Sequence, residues 1–523
     1  MTKIFLSFVA ALALFSSCVN ADQGNNELDY ASTKDILDIN PHLYLGEMAA
    51  QNMVFEPLVV NTERGIEPCL ATHWDISPDG KHYTFYLRDN VYFNDGEKFD
   101  AKAVKLNMQA ILANKDRHAW MGLVNEIEQV NIIDNMTVEL VLHHAYYPTL
   151  TELGVTRPFR FISPKAFING ETKNGVSSYA GTGPWVLTEH KKNQYARFEV
   201  NPHYWGNKPA LNAVVWQVIP DRQTMLFALK KGDIQMIFGA DGDMTDMDSY
   251  QALTDNHQFV ARMSDPIASR AVVLNSRRPI THDINVRQAL EYAVDKEGIV
   301  SAVLNGSETL ANTLMSPSAP YSNIAVKTYS FDPEKARHLL DDAGWLLPVG
   351  RSIREKNGQS LTLIFSYDTS NAAEKEIAEL IQDNFKDVGV DLRLVGEEKQ
   401  AYLDRQKRGD FDLQYSLSWG KPYDPASFVS SFRVPAHADY QAQLGLEDKV
   451  QLDQMIGELL ITNDEQTRQN RYTQLFQRLA NAAIYIPISY SRTKVIYRHE
   501  IGGVDFNVSQ YEIPFEKMYF KSP

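Results

Sequence analysis

The stretch from Leu361 to Val395 constrains the fold more than any other. Leu361 to Phe365 is an apolar run of strand length, and Ile377 to Val388 repeats apolar residues at helical spacing. Gly389 then stops the helix and Val390 to Val395 is a second apolar run. A helix connecting two buried strands is the grammar of a crossover, which lays the strands parallel in one sheet. The signals on either side agree. Asp332-Pro333 is an N-cap followed by a first-turn proline, Ala336, Leu339, Leu340 and Ala343 form an apolar stripe, and Gly344 closes the helix. Ala271 to Leu274 reads as a strand, and Ile284 to Ile299 as one helix with Val286, Ala289, Leu290 and Ala293 on a single face. The fold class is therefore α/β, with a partly parallel sheet.

At 523 residues the chain exceeds what one core organises, so two or three domains or lobes are expected. The α/β pattern starts near residue 266, and apolar segments after 490, including Val504 to Pro514, read as returning strands. Lobe I is accordingly expected to be 22–265 completed by 490–523, and lobe II 266–489. Two chain crossings of that kind make a hinge.

The first residues are an export signal. Lys3 supplies the positive region, Ile4 to Phe15 the apolar one, and Val19-Asn-Ala21 a small-residue cleavage site, giving a signal peptide over 1–21. The apolar run is short for a bilayer span. Phe15-Ser-Ser-Cys18 also resembles a lipoprotein box, which would make Cys18 a lipid anchor; Phe15 is unusual there, so soluble export is the preferred reading. Only two cysteines occur, and Cys18 is lost or modified either way. Cys69 is then alone, which rules out an intrachain disulfide and a thiolate zinc site in the mature chain. A net charge of −15 argues against a nucleic-acid partner.

No HExxH, GxSxG or P-loop motif is present, and Gly181-Thr-Gly-Pro-Trp185 is a tight turn entering a strand, not a phosphate loop. Asp241 to Asp248 looks like a calcium loop, but Asp246 stands where glycine is required and Ala252 where a bidentate glutamate belongs. His143-His144 would point to opposite faces of an extended segment and reads as structural.

The segments with binding character are of another kind. Trp419-Gly-Lys-Pro-Tyr-Asp-Pro425 is a stiff turn displaying two large aromatics, a rigid contact surface for a ligand or a plug under a loop. Arg433 and His437 follow on a segment broken by Pro435; His437 is either a metal-capable imidazole or a solvated loop histidine. Arg117 and Trp120 project to one side if that segment is helical. Arg157 and Arg160 alternate with Pro158, Phe159 and Phe161, a setting suited to bidentate carboxylate binding. For Arg160 a surface ion pair is the preferred reading. Tyr44 and Met48 flank the start of a helix and would face a cleft, with core packing of Met48 as the alternative.

Asp79-Gly-Lys-His-Tyr-Thr-Phe-Tyr-Leu-Arg88, Gly181-Thr-Gly-Pro-Trp185, Tyr204-Trp-Gly206, and the segments Asp332 to Ala336 and Ala343 to Trp345, resemble the peptide/nickel class of bacterial extracytoplasmic solute-binding proteins. Arg117 to Trp120, Arg157 to Phe161, Trp419 to Pro425 and Arg433 to Tyr440 are similar to the nickel-binding members of that class, which serve ABC-type nickel importers. The resemblance implies a two-lobed periplasmic clamshell (type II) with an extra subdomain in the first lobe. It implies no catalytic cofactor and no enzyme activity; the cargo is a Ni(II) chelate formed with a small organic chelator or histidine. Its implied partners are an inner-membrane ABC permease with its ATPase subunits, and its implied state is a monomer. Tyr44, Met48, Trp120, Trp419 and Tyr423 would line the cleft, Arg117 and Arg157 would face the chelator's carboxylates, and His437 would ligate the metal. Tyr511 departs from the family pattern, where a small hydroxyl residue is expected, and so reshapes the ligand pocket. The alternative within this fold is an oligopeptide or dipeptide receptor, whose cleft would carry an acidic residue for the peptide amine.

Overall fold

The computed structural model describes residues 26–239, 247–435 and 437–522. Cys18, the export signal and most of the acidic loop Asp241 to Asp248 lie outside the described residues.

Two large sheets dominate. The seven-stranded sheet runs in the order 185–191, 195–200, 213–218, 27–32, 236–239, 494–498 and 259–263. Glu27–Ser32 is parallel to both its neighbours, Ala213–Val218 and Met236–Gly239. The six-stranded sheet runs 309–310, 485–491, 268–274, 413–417, 362–368 and 391–397. Thr362–Asp368 is parallel to Asp391–Glu397, with the helix Ala372–Asp387 between them, as the apolar pattern anticipates. Gly389 takes φ +86° after that helix, a left-handed conformation that glycine adopts without Cβ strain. Lys494–Arg498 crosses back to the first sheet and pairs with both 236–239 and 259–263, whereas Tyr485–Ser491 belongs to the second.

A separate four-stranded antiparallel sheet, ordered 71–76, 82–87, 137–142 and 127–134, packs with the helix Ala101–Leu112. Alternation buries Tyr83, Phe85 and Leu87 on its inner face. The Asp100 side chain caps the helix by accepting from the Ala103 amide at 2.8 Å. This layer shares a continuous apolar core with Tyr423, Phe428 and Phe432 and with the helices Lys449–Leu460 and Glu465–Asn481.

Two expectations about local structure are corrected. The helical pattern over 284–299 is two helices, Ile284–Ala293 and Lys296–Ala302, because Asp295 caps a new start by accepting from the Gly298 amide. The return after residue 490 is made by Lys494–Arg498; Val504 to Pro514 contains no strand and is a packed loop.

Candidate functional site

A cavity of about 310 Å³ is lined by Tyr44, Met48, Trp120, Arg157, Trp419, Tyr423, His437 and Tyr511. These eight side chains come from six separate segments. Met48 opens the helix Met48–Val54, with Tyr44 on the turn before it. Trp120 follows the 3₁₀ turn Lys115–His118, and Arg157 lies on the loop after the helix Thr149–Leu153. Trp419 and Tyr423 sit on the turn between the strand Leu413–Leu417 and the helix Ala426–Ser431. His437 stands at the N-cap of the helix Ala438–Gln443, and Tyr511 on the C-terminal loop.

The aromatic turn is built around Asp424. Its buried carboxylate accepts from the Trp419 amide at 3.2 Å, the Gly420 amide at 3.0 Å and the Ser418 hydroxyl. Burial pushes its pKa up to about 6, against the pull of those three donors. Gly420 has φ +72°, and a Cβ there would meet Ile267 Cγ2 at 2.5 Å, so both conformation and space require glycine. The ring of Trp419 then stands edge-on to Trp120 (5.0 Å, 88°), Tyr423 (6.0 Å) and His437 (5.2 Å). Tyr423 in turn is edge-on to Tyr511 at 5.9 Å and points its hydroxyl at Met48 Sδ, 3.9 Å away. The walls are thus an interlocked aromatic box in edge-to-face geometry.

Tyr44 is fixed by a short relay. The Trp120 indole N–H donates to Tyr44 Oη at 2.9 Å, and that hydroxyl lies 2.6 Å from His118 Nδ1. Burial and the neighbouring charge of Arg117 hold the His118 pKa down to about 3, so its Nδ1 is free to accept from the tyrosine. His118 went unnoticed in the sequence because a buried histidine beside an arginine carries no motif.

The cations meet different fates. Arg157 is partly buried against the cavity, with its guanidinium 4.8 Å from the Tyr44 ring and one N–H donated to the Gly46 carbonyl at 3.2 Å. Desolvation lowers its pKa, and among the described residues it forms no ion pair with a carboxylate. Arg117 is exposed at the rim, 5.6 Å from the same ring, and does not line the cavity. Arg160 corrects the expectation of a surface ion pair: only 2 % exposed, it pairs with Glu512 at 3.1 Å and donates to the Thr156 carbonyl. Phe159 and Phe161 are core residues.

His437 has no hydrogen-bond partner for its ring nitrogens among the described residues, and burial lowers its pKa, favouring the neutral imidazole. No group of three His, Cys, Asp or Glu suited to hold a metal ion occurs among the described residues. His143 and His144 face Glu128 and Glu126 at the surface. The cavity therefore offers one neutral nitrogen donor, one cation that forms no ion pair among the described residues although Glu47 lies within electrostatic reach, and aromatic walls. That set suits a bulky ligand bearing carboxylates, and a metal that arrives with most of its coordination sphere already filled.

Residues 65–440 match the family described as bacterial extracellular solute-binding proteins, family 5, middle. The chain belongs to that family, and its fold is the two-lobed α/β fold of such proteins. It is 43% identical over 511 residues to the nickel-binding periplasmic protein of Escherichia coli strain K12, covering 97% of each chain. Among solved structures it is similar to NikA from Brucella suis in complex with Fe(III)-EDTA, at 41% identity and a TM-score of 0.92 over 95% of this chain and 100% of that one. It is also similar to NikZ from Campylobacter jejuni in complex with Ni(L-His), at 25% identity and a TM-score of 0.82 over the same shares.

Proposed function

We propose that this protein is an extracytoplasmic receptor that captures a nickel chelate between its lobes and delivers it to an inner-membrane ABC importer, consisting of a permease and its ATPase subunits. The observation that carries the reading is the pairing, in one cavity, of Arg157, in no ion pair among the described residues, and His437, whose ring nitrogens have no hydrogen-bond partner among them. Ni(II) accepts nitrogen and oxygen donors, and a single imidazole cannot cage it, so the metal comes with its own ligands. A small organic chelator or free histidine supplies them. Its carboxylates face Arg157, with Arg117 at the rim, while His437 binds the metal directly and Tyr44, Met48, Trp120, Trp419, Tyr423 and Tyr511 enclose the complex. Release then breaks one protein–metal bond.

The protein acts in the periplasm as a monomeric carrier and not as an enzyme, after export directed by residues 1–21. The separate sheets and the crossing back at Lys494–Arg498 support the division into lobe I, 22–265 with 490–523, and lobe II, 266–489, except that the last strand of the second sheet runs on to Ser491. The extra four-stranded layer then belongs to lobe I, and two crossings form the hinge. Calorimetry with Ni(II) plus free histidine, run beside a panel of di- and tripeptides, tests the reading. Heat of binding with the nickel complex and none with the peptides is expected; the reverse would assign the cleft to peptides.

A further inference from the structure

Beside the aromatic cavity lies a second one of about 260 Å³, with a different character. Its lining includes the charged side chains Lys34, Glu47 and Arg270 beside the hydroxyls of Ser269 and Ser491, polar groups that can receive a polar arm of a ligand. The two cavities have two lining residues in common, Met48 and Tyr511. Met48 is an unbranched thioether that adapts to its surroundings. Tyr511 is rigid, and it is held from several sides. Its ring is edge-on to Tyr423, its amide donates to Ser509 Oγ at 3.3 Å, and the preceding Gln510 donates its side-chain amide to the Trp419 carbonyl at 3.0 Å. Its position in the wall is therefore set by the same aromatic turn that shapes the chelate cavity.

We propose that Tyr511 is a specificity-determining residue: its ring is the partition between the aromatic cavity and the polar chamber, and it restricts the receptor to compact metal chelates. With the ring removed the two spaces merge, and a chelate with a trailing polar arm gains a place for that arm. The inference rests on the reading of the aromatic cavity as the chelate site. It adds a size rule that Arg157 does not supply, since its guanidinium would engage the carboxylates of compact and extended chelates alike.

The test compares two probes by calorimetry on the full mature protein: Ni(II) with excess free histidine, and Ni(II) with diethylenetriaminepentaacetate. The second chelator has more donor atoms than octahedral nickel accepts and so leaves a carboxylate arm free. The variants are Tyr511→Thr and Tyr511→Val, which both remove the ring, and Tyr511→Phe, which keeps it. Expected is a gain of about tenfold or more in the ratio of affinities, extended chelate over nickel–histidine, in the Thr and Val variants and none in the Phe variant. If wild type binds nickel–histidine and neither ring-removing variant gains on the extended chelate, Tyr511 is no partition and the inference falls while the receptor reading stands. A gain in Tyr511→Phe would assign selection to the hydroxyl and overturn the partition. If wild type binds no nickel chelate at all, the receptor reading fails first and the inference with it. Thermal unfolding of each variant keeps loss of fold separate from loss of binding, and because two variants remove the ring, one poorly folded protein does not decide the outcome.

Discussion

Arg157 and Arg160 flank the same Pro158-Phe159 pair and meet opposite surroundings. Arg160 is tied to Glu512 at 3.1 Å, whereas Arg157 looks into the cavity with a backbone carbonyl as its hydrogen-bond acceptor. Both are removed from bulk water, so each needs its charge answered, one by the fold and the other by the ligand.

Arg157→Ala is therefore expected to cost nickel-chelate affinity on the order of 2–5 kcal/mol with little change in melting temperature. Arg160→Ala leaves Glu512 without its cation and is expected to cost roughly 3–5 kcal/mol of folding stability, with binding affected only through the fold. Calorimetry and denaturant unfolding on both variants separate the two. Equal losses of affinity with unchanged stability would refute the assignment.

For His437 the sign of the pH effect follows from burial. An imidazole in water titrates near ~6.5, and desolvation lowers that of His437 in the fold. Just below pH ~6.5 the unfolded chain gains a proton that the folded one refuses, so this group's contribution to stability is complete above that pH and declines as pH falls toward the folded pKa. Metal binding requires the neutral ring, so proton competition at this nitrogen should begin below the ordinary range. Because the chelator titrates too, affinity is to be followed against pH in both wild type and His437→Ala. A mutant with wild-type affinity for every nickel chelate and an unchanged ligand-field spectrum would show that the imidazole is no ligand.

Removing one oxygen tests the relay behind Tyr44. Tyr44→Phe leaves the Trp120 N–H and His118 Nδ1 without partners, at an expected cost of about 1–3 kcal/mol in unfolding free energy. Tryptophan emission should shift in the same variant. A fully stable Tyr44→Phe with wild-type emission would mean that the relay contributes nothing.

Asp424→Ala removes the acceptor shared by Ser418, Trp419 and Gly420. The freed donors are buried, so a loss of at least ~1–3 kcal/mol in stability is expected, together with weaker chelate binding as Trp419 loses its fixed orientation. Unfolding and titration of this one variant check both effects.

Periodicity made the sheets legible, because burial on one face forces it: Tyr83, Phe85 and Leu87, and the pair of strands around Ala372–Asp387, fall where spacing places them. The break at Asp295 was hidden, since the apolar pattern runs through it and only the cap reveals a new start. At the site, residue type brought forward Trp120, Arg157, Trp419, Tyr423 and His437, and the structure gathers all of them around one cavity. That the ion pair of Arg160 is buried was not legible, because its partner, Glu512, lies far away in the chain. Asp424 reads in sequence as one more turn residue; its three donors appear only when the turn closes.

The perpendicular indoles give the protein its own optical reporter. Trp120 and Trp419 stand 5.0 Å apart on segments distant in sequence, close enough for their excited states to mix. Mixed transitions on two fixed chromophores give paired circular-dichroism bands of opposite sign in the far ultraviolet, where indole absorbs most strongly, and these vanish once the rings separate. Opening of the cleft can thus be timed in a stopped-flow instrument without any label, and a paramagnetic cargo beside the same rings would quench their fluorescence as it arrives.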